Sequence, residues 1–366
     1  VNDAYRAEAD ALDARILAAI AAYALDDTAF DALACDIFAH QFRWNAPYAA
    51  YARSLGVGAD ALPRRAIDIP AVPAAAFKDA ALCTVPPERA ALWFETSGTT
   101  ANGRSGRHYL ETPALYEAAL SAGFARLMLG ERAETLPLRY ALLVPDPAER
   151  PHSSLGYMMA TVTRERGAAS AWCVHADVLE LDRLIAFVQR AHDDGAPVCL
   201  ATTAFALVAL LDELDARGRA LALPAGSCVM ETGGFKGRTR IVARDELYPR
   251  AARALALDTA AIVAEYGMTE LSSQYYDAPA SRTVARRVKA PVPWLRPVVV
   301  DAGGRPVPDG VVGAIRHIDC ANRSSVVAID TEDLGAIVPG GLLLLGREEG
   351  AALRGCSLDA EDLIRR

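Results

Sequence analysis

Ile262-Val-Ala-Glu-Tyr-Gly-Met-Thr-Glu270 is a short apolar run that stops at a glycine and opens onto a hydroxyl and a carboxylate. Residues 262 to 266 read as a buried strand, and one strand by itself fits many folds. Its surroundings decide. Upstream, Tyr140–Val144, Ala171–Val174 and Val198–Ala201 are apolar runs of similar length. Leu155–Arg166, Leu179–His192, Phe205–Arg217 and Asp245–Leu257 carry helical spacing between them. Strand and helix in alternation predict an α/β fold with a mostly parallel sheet flanked by helices. Ligands of such sheets bind beyond the carboxyl ends of the strands, which is where Gly267 to Glu270 would lie.

Outward from this core the texture changes. Leu12, Ile16, Ala19 and Ile20, then Leu33, Ile37 and Phe38, recur at spacings of three and four. They predict a helical N-terminal region over 1–90, whose later part, with Pro63, Pro70 and Pro73, is a connecting segment. The α/β core spans 91–290. Beyond Pro291, the runs Val298–Val300, Gly313–Ile318, Val326–Ile329 and Leu342–Leu345, set among glycine turns, predict a small β-rich subdomain over 291–347. Residues 348–366 are expected to form a short mobile tail.

Composition narrows the class. Acidic side chains number 46 against 38 basic ones, for a net charge of -8, and this argues against sequence-independent nucleic-acid binding. The apolar run Ile16 to Leu25 is too short to span a bilayer and sits among aspartates. No basic leader precedes it, so neither a membrane nor a secretory route is expected. The seven cysteines are scattered singly without a C-x-x-C pair, which suits reduced thiols in a cytoplasm.

Three segments carry candidate chemistry. Glu95-Thr-Ser-Gly-Thr-Thr-Ala-Asn-Gly-Arg-Ser105 gathers hydroxyls and glycines that can all point at an anion. It nearly spells a Walker loop, but His108-Tyr-Leu-Glu-Thr112 looks extended, whereas a Walker loop opens a helix. A polar hairpin is the plain alternative. In the second segment Tyr266 offers a flat face for a base, Thr269 a hydroxyl and Glu270 a hard carboxylate for Mg²⁺. A glutamate opening a helix can equally serve only its dipole. The third comprises Asp330-Thr-Glu-Asp-Leu-Gly335, Leu345-Gly-Arg347 and Leu353-Arg-Gly-Cys-Ser-Leu358. Asp333 could hold two ribose hydroxyls, while Asp330 and Glu332 read as solvated acids of a β-turn.

As a set, Thr96-Ser-Gly-Thr-Thr100, Tyr266-Gly-Met-Thr-Glu270, Asp333 and Gly346-Arg347 resemble the adenylate-forming superfamily of acyl-CoA synthetases, luciferases and adenylation domains. Pro151-His-Ser-Ser-Leu-Gly-Tyr-Met158, Thr232-Gly-Gly-Phe-Lys-Gly-Arg238, Glu265–Gln274 and Arg354-Gly-Cys-Ser-Leu358 more closely resemble the LuxE-like acyl-protein synthetases, from about Phe38 onward. The resemblance implies ATP- and Mg²⁺-dependent activation of a carboxylic acid as acyl-AMP, with loss of pyrophosphate. It implies that Thr96, Ser97, Gly98, Thr99 and Thr100 cradle the triphosphate, and that Gly233 and Gly234 flank the adenine. Tyr266, followed by Gly267, stacks on the base, Thr269 contacts phosphate, Glu270 holds Mg²⁺, Asp333 clasps the ribose and Arg347 belongs to the nucleotide site.

Relatives continue past the position of Arg354-Gly355 into a mobile domain whose lysine assists adenylation. The sequence ends at Arg366, so that domain is expected to be truncated and Lys236 is the cationic candidate, with a solvated loop lysine as the equal alternative. Cys356, flanked by Gly355 and Ser357 beside Arg354, is expected to attack the acyl-adenylate and form a thioester, since an adjacent guanidinium favours thiolate. Cys35, Cys173, Cys199, Cys228 and Cys320 read as small buried hydrophobes. His152 reads either as a structural imidazole or as a group beside the acyl carbonyl, and Trp93, Phe94 and Met158 as packing. Two further readings stand beside this one. One is a free-standing ligase passing the acyl group to CoA, a carrier protein or an amine; the other is a non-catalytic subunit that docks an acyl reductase or carrier.

Overall fold

The computed structural model describes residues 2–96, 105–135, 137–166, 169–233, 242–284 and 286–347. The chain divides into two compact units. One comprises Gly123–Gly267 with Tyr275–Arg287, the other Val1–Ala122, Met268–Gln274 and Val288–Arg366.

The first unit carries the mostly parallel, helix-flanked sheet expected of the α/β fold, over narrower bounds than 91–290. Its strands run parallel in the order Ser170–Trp172, Arg139–Leu143, Val198–Thr203, Cys228–Thr232 and Ile262–Tyr266, and Tyr275–Asp277 pairs antiparallel with the last. In chain order the parallel strands read 2-1-3-4-5, the flavodoxin-like arrangement, which reverses direction between Arg139–Leu143 and Val198–Thr203. Val198–Ala201 is buried without alternation because helices cover both faces of a parallel sheet. Helix Leu181–Asp193 shows why these segments pack. Leu181, Leu184, Phe187, Val188 and Ala191 fall on one buried stripe, and Asp182, Arg183, Gln189 and Arg190 face water. Each large apolar side chain so buried stabilises by roughly 1.5–3 kcal/mol. Thr203 ends its strand and caps the helix Ala204–Ala216, its hydroxyl accepting from the Ala206 N–H at 3.1 Å.

The other unit opens with helices Asp3–Ala22, Asp27–Trp44 and Ala46–Ser54. Asn2, Asp26 and Asn45 cap them, each side chain accepting a main-chain N–H of the first turn. Its sheet has the order Leu295–Val300, Gly313–Asp319, Ala328–Val338, Gly341–Arg347 and Val288–Ala290. Val72–Pro73 runs parallel to Ala328–Val338, and Leu92–Glu95 with Arg107–Leu110 makes a separate antiparallel hairpin. The second helix grips the chain between two sheet strands. Gln41 Nε2 donates to the carbonyls of Asn322 and Arg323 at 2.9 and 3.0 Å, and its Oε1 accepts from the Val327 N–H at 2.9 Å. Arg323, 1% exposed, reaches Asp13 with two nitrogens and Glu111 with a third contact at 2.5 Å, which ties the first helix to the same segment.

One segment differs from expectation. Asp330 to Gly335 is not a turn: it lies inside the long strand Ala328–Val338. Leu334 and Gly335 have register partners on both sides, and Arg316 neutralises Asp330 through bonds of 2.7 and 3.0 Å. Asp330 is tolerated because Arg316, its register partner, lies directly opposite on the neighbouring strand, while Glu332 is exposed to solvent as expected.

Candidate active site

In the α/β unit His152, Gly233 and Tyr266 each lie at or beyond the carboxyl end of a parallel strand, and so on the same end of the sheet. His152, half-buried, lies in the turn between Arg139–Leu143 and helix Ser154–Arg166. Ser153 opens that helix, its hydroxyl accepting from the Gly156 N–H at 3.1 Å. A Cβ on Gly156 would stand 2.5 Å from the Pro145 carbonyl, so only glycine permits so close an approach of the helix to the strand end. Gly233 follows Cys228–Thr232 with φ of 76°, in the left-handed region that glycine occupies without strain. Tyr266 ends its strand with its ring 5.7 Å from that of Tyr275, at an interplanar angle of 37°.

Buried carboxylates support this end of the sheet. Thr232 Oγ1 donates to Glu265, and Tyr248 donates to Glu231 Oε2 at 2.7 Å. Asp277, fully buried, accepts from the Ala264 N–H at 2.8 Å and from Arg287 at 3.0 Å. Burial pushes the Tyr248 phenol well above its ordinary pKa, with the Glu231 charge adding to the effect, so it stays a donor. Strand ends carrying Gly233 and Tyr266 are thereby fixed by polar pairs rather than by loose loops.

In the other unit Thr96 closes the hairpin at the mouth of the hydroxyl loop. Its N–H donates to the Gly106 carbonyl and its hydroxyl accepts from the Gly106 N–H, both at 2.9 Å. The strand Arg107–Leu110 that follows is the extended continuation expected of a loop that opens no helix. Thr269 Oγ1 is 3.5 Å from the Glu95 carbonyl, so the segment 268–274 lies against the base of that hairpin. Glu270 is 8% exposed, and its carbonyl accepts from Asn322 Nδ2 at 2.9 Å. The Thr269 carbonyl is 2.7 Å from Nδ1 of His108.

Asp319 anchors the far end of the same segment. Its carboxylate accepts from the N–H of Ser272 at 2.9 Å, the hydroxyl of Ser273 at 2.8 Å and the N–H of Ala321 at 3.0 Å. Burial pushes its pKa up to about 6 against the pull of those donors. Asp333, 7% exposed, is the register partner of Arg347 and sits beside a bulge at Leu334/Gly335, a device that re-aims side chains. Burial takes His317 down to about 4, with Asp333 opposing.

Ser97, Gly98, Thr99, Thr100, Gly234, Lys236 and Cys356 lie outside the described residues, and of Arg347 only the backbone is described. Phe94 and Met158 are core residues. His108, Asp319 and Asn322 were not singled out from the sequence. The available signal was slight: a lone histidine just after the hydroxyl loop, and the polar run Asp319-Cys-Ala-Asn-Arg-Ser-Ser325 between apolar strands.

The fold of the described residues is shared with solved structures that include ATP-bound MatB. More narrowly, the chain belongs to the acyl-protein synthetase family LuxE, whose family model matches residues 7–363. Among curated proteins none matches it in sequence. Among solved structures it resembles ATP-bound MatB from Rhodopseudomonas palustris, with a TM-score of 0.51 and 17% identity over 72% of this chain and 49% of that one. It also resembles O-succinylbenzoate coenzyme A synthetase (MenE) from Bacillus subtilis in complex with ATP and magnesium, with a TM-score of 0.50 and 17% identity over 74% and 52%. McyG A-PCP complexed with phenylalanyl-adenylate gives 0.51 and 17% over 73% and 48%. The matched region thus spans about half the length of these proteins.

Proposed function

We propose that the chain activates a carboxylic acid with ATP and passes the acyl group to a thiol, its own Cys356. The observation that carries this is the contact of the hydroxyl-loop hairpin with the segment bearing Thr269 and Glu270, at Glu95 and Thr269. A carboxylate reacts poorly because its leaving group is oxide. In the first step a carboxylate oxygen of the acid attacks the α-phosphorus of ATP. The α–β phosphoanhydride bond breaks, and pyrophosphate leaves with the electron pair. In the second, the Cys356 thiolate attacks the acyl carbon, and the bond to AMP breaks as the thioester forms.

In this reading Thr96 to Thr100 and Thr269 lie along the phosphates, Gly233, Gly234 and Tyr266 along the adenine, and Asp333 and Arg347 along the ribose side. Lys236 offsets charge developing on the phosphoryl oxygens, and His152 stands near the acyl group. Among the described residues no cluster of His, Cys, Asp and Glu could enclose a metal ion. Glu270 fits Mg²⁺ in another way, as one buried carboxylate supplementing phosphate oxygens and water, which is how Mg²⁺ usually binds at nucleotides. There the ion would stabilise negative charge on the transferring phosphoryl group. The acyl acceptor, whether Cys356 alone or then CoA, a carrier protein or a reductase, is open to the same assay.

That assay is acid-dependent ATP–pyrophosphate exchange across a panel of aliphatic and aromatic acids. Exchange with at least one acid, together with a hydroxylamine-labile adduct at Cys356, is expected. Cys356→Ala should keep the exchange and lose the adduct. Full turnover by that variant would remove the acyl-enzyme step, and absence of exchange with every acid would remove adenylation itself.

A further inference from the structure

His108 is fully buried on the strand Arg107–Leu110, and the phosphate, base and ribose roles above make no use of it. Its ring spans two groups. Nδ1 lies 2.7 Å from the Thr269 carbonyl and Nε2 lies 2.8 Å from Asn322 Oδ1. The Asn322 amide goes further, its Nδ2 donating to the Glu270 carbonyl at 2.9 Å. The main-chain carbonyls of both residues assigned to phosphate and metal are therefore held by one relay, Thr269 to His108 to Asn322 to Glu270. Asn322 is itself fixed, since its carbonyl accepts from Gln41 and its N–H donates to the Asp319 carbonyl at 3.0 Å.

We propose that His108 and Asn322 are positioning residues for adenylation, and that the relay is complete only when both ring nitrogens of His108 carry a proton. The inference rests on the adenylation reading for its catalytic consequence and on hydrogen counting for its chemistry. Three contacts need three hydrogens. Both ends of the relay are carbonyl oxygens, which only accept. Asn322 must present its NH₂ to Glu270 and therefore its oxygen to His108. A neutral imidazole supplies one N–H, so it can serve Thr269 or Asn322 and leaves two acceptors facing each other at the remaining contact. Turning the amide over only moves that clash to Glu270. The imidazolium satisfies all three.

The surroundings are defined. Phe77 packs edge-on against the ring at 5.9 Å and brings no charge. The segment 268–274 carries Glu270, and the segment 319–325 carries Asp319 and Arg323, the latter committed to Asp13 and Glu111. Burial pulls the imidazole pKa below its ordinary value, while the Thr269 carbonyl and Asn322 pull it up.

Two measurements test the relay. In the full chain labelled with ¹⁵N-histidine, the nitrogen resonances of His108, assigned by their loss in His108→Gln, should both be of the protonated type at pH 5, a test pH chosen because burial lowers the imidazole pKa. A bare Nε2 overturns the proposal, whether or not the protein adenylates anything. The second measurement uses His108→Asn, which can keep the donor to Thr269, and His108→Gln, which can keep the donor to Asn322. With Asn322→Ala, each should lower kcat for pyrophosphate exchange tenfold or more per folded active site, the loss expected for one charge-assisted bond. The KM for the acid should stay unchanged. Combining His108→Gln with Asn322→Ala should cost little beyond the worse single change, because one relay is broken once. Additive losses, or losses confined to thermal stability with kcat intact, would mark these side chains as scaffold and sink the positioning role. If the wild-type chain shows no exchange with any acid, adenylation fails as a reading while the nitrogen resonances still judge the relay.

Discussion

At the residue scale, the account turns on Glu270 and Asp333. Glu270→Gln preserves the shape and the main-chain carbonyl's bond from Asn322 but removes the charge that would face a metal. It should leave the fold intact and lower pyrophosphate exchange by about 10²–10³-fold, the usual loss for one preorganised electrostatic contact. Near-normal exchange at limiting Mg²⁺ would take Glu270 out of the metal role. Asp333→Ala should instead weaken ATP, by about 2 kcal/mol in apparent KM if a charge-assisted contact to ribose is lost, and leave the acid dependence alone. The reverse pattern would place Asp333 on the acyl side. Both residues could be singled out from the sequence because each lies within a compact local pattern. His108 and Asn322 could not, since their partners lie 161 and 214 residues away along the chain. A histidine and an asparagine carry no mark of such a pairing until the chain is folded.

At the element scale, the strands and helices of the α/β unit were legible for a physical reason. Two-sided burial gives unbroken apolar runs, as in Val198–Ala201, and one-sided burial gives a stripe, as in Leu181–Asp193. The strand Ala328–Val338 reads as a turn at Asp330 and Glu332 because acids seldom mark a strand: Asp330 is compensated by Arg316 from another strand, which a local pattern cannot reveal, and Glu332 is solvated as expected. The 268–274 segment shows how an irregular element is fixed by a neighbour, and Asp319 gives it a pH signature. In the folded protein Asp319 has a pKa of about 6, raised from its ordinary value of 3.8 chiefly by burial. Between those values the native state holds a proton that the unfolded chain has released, so this group's contribution to stability falls as pH rises. Relative to Asp319→Asn, wild-type unfolding free energy should drop by about 3 kcal/mol from pH 3.5 to pH 6.5. Denaturant titrations across that window test the sign, and a difference that grows with pH would mean that the Ser272, Ser273 and Ala321 donors outweigh burial.

At the scale of the whole molecule, the N-terminal helices serve the unit that carries Thr269 and Glu270. Gln41 and Arg323 clamp the 322–327 stretch, and Asn322 within it holds the Glu270 carbonyl. A helical pattern in the sequence marked those elements but not their purpose, because Gln41 contributes through side-chain bonds to backbone more than 280 residues away. Among the described residues no helix is long and apolar enough to cross a membrane. The central claim is that the acid's oxygen attacks the α-phosphorus of ATP, and an isotope can follow that oxygen. The full chain would be incubated with ATP, Mg²⁺, hydroxylamine as a general acyl acceptor, and an acid that supports exchange, labelled with ¹⁸O in both carboxylate oxygens. The nucleotide product would then be weighed by mass spectrometry. The account predicts AMP carrying one ¹⁸O and pyrophosphate carrying none. Label in inorganic phosphate with ADP as the nucleotide product, or unlabelled AMP, would contradict it.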